Sequence, residues 1–133
     1  MENPGVYTLV ALGLTVAQTA AAQTPVTSLD GLTAVTLEAE LLGGSGGSTA
    51  SLVAQTSFDG GSTWLDIARF DFTTSAAKKW AVIEGLAARA VAAYSALAAE
   101  GVNNGLLGDR LRGVVTSTGT YTNTTVSLRA AAR

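Results

Sequence analysis

Ser57-Phe58-Asp59-Gly60-Gly61-Ser62-Thr63-Trp64 is the stretch whose reading decides the fold of this chain. It has the form Ser-x-Asp-x-Gly-x-Thr-Trp, an Asp-box, and lies between two strand-like runs. An Asp-Gly step supplies the positive φ angles that a tight hairpin turn demands. The Asp59 carboxylate is placed to accept hydrogen bonds from backbone amides about two residues on, fixing the turn locally. Trp64 opens the outgoing strand and can fold its ring over the hairpin. Ser57, Asp59, Gly61, Thr63 and Trp64 therefore form a structural hairpin. The motif names no reaction.

Strands extend on both sides. From Ala34 to Leu41, Val35, Leu37, Ala39 and Leu41 alternate with Thr36, Glu38 and Glu40, the pattern of a half-buried antiparallel strand. Gly43-Gly44-Ser45-Gly46-Gly47-Ser48 reads as a hairpin loop, and Thr49 to Ser57 as the next strand. After the turn, Thr63 to Phe72 carries apolar residues on both faces. Trp64, Ala68, Phe70 and Phe72 are expected on one face, with Leu65, Ile67, Arg69 and Asp71 on the other, so this strand should be covered on two sides. Thr73-Thr74-Ser75 and Lys78-Lys79 mark a turn or strand edge before a short strand, Trp80 to Ile83.

Residues 87–99 are rich in Ala and have high helix propensity, yet sit in an otherwise β chain. Ala87 to Tyr94 is expected to be strand-like, and Ser95 to Leu107 a loop with one helical turn, with a turn at Asn103-Asn104-Gly105. Strands at Asp109 to Ser117 and Thr124 to Ala132 close the chain. The expected fold class is all-β, a single antiparallel β-sandwich of jelly-roll or Ig-like type. Residues 1–33 are expected as an N-terminal arm or strand, and 34–133 as the sandwich domain.

Composition narrows function. In 133 residues, charged side chains make up 14% against 47% hydrophobic, a surface suited to cover by neighbours. A net charge of −2 argues against nucleic acid as a partner, because phosphate binding needs clustered Lys and Arg. The absence of Cys and His removes thiol and imidazole nucleophile systems and most zinc and iron sites. No enzyme activity, cofactor or metal is expected. The apolar run Val6 to Val16 resembles a signal peptide in part, but Glu2 stands where positive charge belongs. The run is also too short to span a bilayer, so no membrane partner is expected. It reads as a buried strand or docked arm, able to join copies by exchange.

Asp59, Asp66 and Asp71 flank one hairpin. A glycosidase needs two carboxylates facing each other across a cleft, and simple alternation puts Asp66 and Asp71 on opposite faces. Calcium needs six to eight oxygen ligands, more than the local acidic density offers. Asp59 is read as a turn cap. One Asp-box cannot build the multi-bladed propeller of sialidase-like proteins, where these boxes recur. In Gly105-Leu106-Leu107-Gly108-Asp109-Arg110-Leu111-Arg112, Asp109 could pair with Arg112 or Arg69. Arg110 and Arg112 are the possible contact for an acidic partner surface.

The run Gln55 to Ala68, then Phe70-x-Phe72-Thr73, Gly108-Asp109-Arg110-Leu111-Arg112, Thr118-Gly119-Thr120-Tyr121 and a final Thr/Val-rich strand resembles small β-sandwich virion structural proteins of tailed bacteriophages and prophages. The resemblance covers roughly Val35 to Ala132; the Ala-rich middle departs from it. It implies a capsid decoration or cement protein that stabilises the head as a homo-oligomer on the major capsid protein. Such a protein is located in the virion after assembly in the bacterial cytoplasm. A head–tail connector or tail component is the alternative within that group. A carbohydrate-binding module is the alternative outside it, and requires Trp64 or Trp80 exposed beside polar groups.

Overall fold

The computed structural model describes residues 4–133, so Glu2 lies outside the described residues. In chain order the strands are β1 (Gly5–Gly13), β2 (Ala21–Ala22), β3 (Ala34–Leu42), β4 (Ser45–Gly46), β5 (Thr49–Ser57), β6 (Leu65–Phe72), β7 (Ala77–Glu84), β8 (Gly101–Val102), β9 (Arg110–Thr118), β10 (Tyr121–Thr122) and β11 (Thr125–Ala132). The fold is all-β, with antiparallel sheets packed together.

Alternation builds the interior. In β3, Val35, Leu37, Ala39 and Leu41 are buried; in β11 the buried set is Val126, Leu128, Ala130 and Ala132. The register Leu128↔Ala39 and Ala130↔Leu37 brings large and small side chains opposite each other on the inner face. The facing sheet contributes Leu52 and Ala54 of β5, Phe70 and Phe72 of β6, and Leu111 and Val115 of β9.

The first sheet runs β1-β11-β3-β7 and the second β2-β9-β5-β6-β8, with β4 and β10 forming a small ribbon. Setting aside β4, β8 and β10 but keeping the equally short β2 leaves eight strands. The first pairs with the last, the second with the seventh, the third with the sixth, and the fourth with the fifth (β1·β11, β2·β9, β3·β7, β5·β6). This is one long hairpin rolled over itself, the jelly-roll connectivity. Of the two sandwich types expected, the strand order is that of the jelly roll.

Within residues 1–33, expected as an N-terminal arm or strand, the described residues 4–33 share the core of the sandwich. β1 pairs along β11, and a register shift between Thr8 and Val10 buries Leu9 and Val10 together. Leu14 and Leu29 are buried as well. β1 passes so close to β9 that a Cβ on Gly113 would lie 2.3 Å from Val10 Cγ2. Only hydrogen fits there.

The Ala-rich middle differs from expectation. Ala87 to Tyr94 forms no strand, and Ser95 to Leu107 contains no helical turn; the chain makes a long excursion interrupted only by β8. A run of methyl side chains offers too little surface to hold a strand or helix against the sheet. Its path is set instead by polar anchors described below. The expected turn is present, with Leu106 N donating to Asn103 O at 3.3 Å and Gly105 at φ 91°.

Gly113→Val should force β1 off β9 and cost about 1–3 kcal/mol through overpacking. Thermal denaturation followed by circular dichroism measures it. Removal of residues 1–13 should abolish the cooperative transition, since it strips an entire strand and two core side chains; a truncated chain that melts as the full chain does would contradict this.

Candidate functional site

The hairpin is closed by side chains rather than by its backbone alone. Ser57 Oγ accepts from Gly61 N at 2.9 Å and donates to Asp59 Oδ1 at 2.9 Å. Asp59 accepts from Thr63 N at 2.9 Å through Oδ1 and from Thr63 Oγ1 at 2.6 Å through Oδ2. The amide it captures is therefore four residues on, not two. Gly60 and Gly61 take φ of 74° and 93°, in the left-handed region. The Trp64 ring folds back, its Nε1 donating to Gly61 O at 3.0 Å. The hydrogen bond from the Thr63 hydroxyl, then that from the Thr63 amide, hold the Asp59 carboxyl down at about 2, from an ordinary 3.8.

The second run lies against this hairpin. Gly108 packs on it so tightly that a Cβ there would sit 2.0 Å from Ser57 O, and its amide donates to Thr56 Oγ1 at 2.8 Å. Arg110 pairs with Ser57 across β9 and β5, and Arg112 with Gln55. The Arg112 guanidinium stacks on Trp64, 4.4 Å from the ring centre, and its Nε donates to Gln55 Oε1 at 2.8 Å. Gln55 Nε2 in turn donates to Asp66 Oδ1 at 2.8 Å. Arg110 Nε is buried without a hydrogen-bond partner, and the Asp109 carboxylate lies 3.8 Å from it. The expected pairing of Asp109 with Arg112 or Arg69 is replaced by this contact with Arg110, because Arg112 is taken up by Trp64 and Arg69 by Asp71.

Asp66 and Asp71, expected on opposite faces, share one. Ala54 pairs with Ala68 while Gln55 pairs with Asp66, so Ile67 is one extra residue in β6. Ile67 and Ala68 both turn into the core, and Asp66, Arg69 and Asp71 all point outward. The two carboxylates are committed to different partners. Asp66 Oδ2 accepts from Leu97 N at 3.0 Å, while Asp71 Oδ1 accepts from Ser51 Oγ at 2.8 Å and Arg69 Nε at 2.9 Å. Burial opposes ionisation of Asp71, but the bonds from Arg69 and Ser51 outweigh it and lower its pKa.

Asp66 is the anchor of the excursion. Its amide donates to Tyr94 Oη at 2.8 Å, and its carbonyl accepts from Asn103 Nδ2 at 2.8 Å. Arg69 Nη1 donates to Leu97 O at 2.9 Å. Farther on, Glu100 Oε2 accepts from Lys79 Nζ at 2.6 Å and from Asp71 N at 3.0 Å, and these bonds lower its pKa. Lys79 lies 5.2 Å from the centre of the Phe72 ring, an inward cation on an edge strand.

The sequence thus picked out Ser57, Asp59, Gly61, Thr63, Trp64, Arg110 and Arg112, and the structure gathers them at one end of the β5–β6–β9 sheet. It did not pick out Asp66, Arg69, Tyr94, Glu100 and Asn103 as a group. One signal for the bulge was present: apolar residues switch from odd positions (Leu65, Ile67) to even ones (Ala68, Phe70, Phe72) in mid-strand. Among the described residues, no helix is long and apolar enough to cross a membrane. No family model matches the chain, and no curated protein or solved structure matches it.

Two outcomes test this geometry. Because the folded pKa of Asp59 is depressed, the unfolded chain binds more protons between about 3.8 and 2, and stability rises with pH across that window. The hairpin's contribution is complete above the unfolded value and is lost as pH falls through about 2. A carboxyl-carbon NMR titration should place Asp59 near 2, and Thr63→Val should move it upward. Asp66→Ala should leave Leu97 N and Gln55 Nε2 unpaired and cost about 1–3 kcal/mol. Hydrogen exchange should then quicken across residues 94–103 while β3 and β11 stay protected.

Proposed function

We propose that this chain is a structural protein of a tailed-phage particle, decorating the head as a homo-oligomer seated on the major capsid protein. One observation carries the reading. The excursion at residues 86–94 holds Leu86, Val91 and Tyr94 in solvent with Arg89 as its single charge. Exposed apolar surface of that kind is the mark of a protein–protein contact. Val6 and Val82 add exposed apolar surface on the outer face of the β1-β11-β3-β7 sheet. The hairpin and the Gly108 to Arg112 run support the phage setting through their resemblance to virion sandwiches. The jelly roll is also a shell-building fold, which is support by analogy of fold alone. A connector or tail position would use the same surfaces in a ring.

Mass spectrometry of purified phage particles should find this chain in fixed ratio to the major capsid protein. Cryo-electron microscopy should place it on the head surface. A ring of copies at the head–tail vertex would transfer it to the connector, and absence from the particle would overturn the proposal. Val91→Asp combined with Leu86→Asp should leave the melting curve unchanged and remove the chain from the particle.

A further inference from the structure

The open side of the sandwich carries a second surface, distinct in chemistry from the apolar excursion. β7 is the edge of its sheet, and β6 and β8 form the facing edge of the other. Between them lies a cleft of about 480 Å³ whose lining includes Arg69, Lys78, Lys79, Trp80, Glu100 and Val102. A neighbouring cleft of about 410 Å³ shares Arg69, Lys79 and Glu100 and adds Thr49, Ser51 and Asp71. Both are in the size range of small-ligand sites.

Two properties define what this groove can bind. First, Trp80 is 72% exposed on the rim, a flat apolar plate that nothing in the fold requires to be there. Second, the charges are already neutralised: Arg69 with Asp71 at 2.9 Å, Lys79 with Glu100 at 2.6 Å, and Lys78 with Glu40 at 3.7 Å. An anionic ligand would have to displace a resident carboxylate from each cation. Lone pairs nevertheless remain. Among the described residues, Asp71 Oδ2 and Glu100 Oε1 hold no hydrogen bond, and Thr49 and Ser51 supply hydroxyls. Neutral, dense in fixed donors and acceptors, and edged by an indole, the groove matches a ligand with one apolar C–H face and many hydroxyls.

We propose that the β7–β8 edge is a binding site for a neutral hexopyranose oligosaccharide, with one sugar ring stacked on Trp80. The neighbouring rings reach Arg69, Asp71, Lys79 and Glu100 by hydrogen bonds. Charge-assisted bonds to sugar hydroxyls fix the orientation, and the stacked ring supplies apolar area. The site uses none of residues 86–94, and of the apolar surface named above it adjoins only Val82, two residues along β7 from Trp80.

Titration of the full chain with maltohexaose, cellohexaose, laminarihexaose, mannohexaose and chitohexaose, read by amide NMR shifts, tests it. At least one should shift residues 78–82 and 100–102 with a Kd of about 0.1–1 mM. Trp80→Ala should weaken that binding about tenfold or more. Because Trp80 is exposed, the variant should melt as the parent does. Glu100→Gln should weaken binding with Trp80 intact. No shift with any of the five, a shift that survives Trp80→Ala, or binding of polygalacturonate alone would each overturn the proposal.

Discussion

One extra residue governs the outer face of the second sheet. Were Ile67 taken up without a bulge, strict alternation would continue through β6 and Asp66 would point into the core. There its carboxylate would be desolvated with no donor in reach, at a cost of several kcal/mol. The bulge turns it outward, and four groups then bind that single residue: Gln55, Tyr94, Leu97 and Asn103. Three anchors of the long excursion, at Tyr94, Leu97 and Asn103, meet at that residue, and Arg69 adds a further bond to Leu97 O. The segment that follows, with Glu100 and β8, is in turn what forms the far wall of the edge cleft. A packing irregularity in one strand thereby sets the position of a surface thirty residues away in sequence.

The hairpin and the excursion solve opposite problems. The hairpin is short and must change direction within a few residues, so it recruits positive-φ glycines and a carboxylate clamp. The excursion is long, nearly charge-free and built of small side chains, so it has no means of folding on itself. Polar bonds at its ends hold it while residues 86–94 stay in solvent. Arg112 links the two regions: its guanidinium caps Trp64 of the hairpin and, through Gln55, reaches the same Asp66 that holds the excursion.

Much of the sandwich could be read from alternation, because period-2 burial is written directly into Val35–Leu41 and Val126–Ala132. The hairpin was legible for a different reason, since Asp-Gly and Ser-x-Asp chemistry acts within a few residues. What escaped was everything that depends on register between distant segments. The Ile67 bulge reverses the faces assigned to Asp66 and Asp71, and only pairing with β5 reveals which residue is the extra one. The Ala-rich middle escaped because propensity and pattern conflict there, and neither decides the outcome. Its course is set by Asp66, Arg69 and Asn103, residues whose partners lie 28 to 37 positions away.

The distribution of charge explains why so few charged residues suffice. Of eight cationic side chains, Arg69, Lys78, Lys79, Arg110 and Arg129 each face a carboxylate, and Arg112 lies on an indole. Exposed pairs of this type add little to stability. They offset positive charge on the sheet faces, and among the described residues Arg89 and Arg133 are the cations with no such contact. Outside these pairs, the large exposed apolar side chains include Phe58, Trp80, Leu86 and Val91.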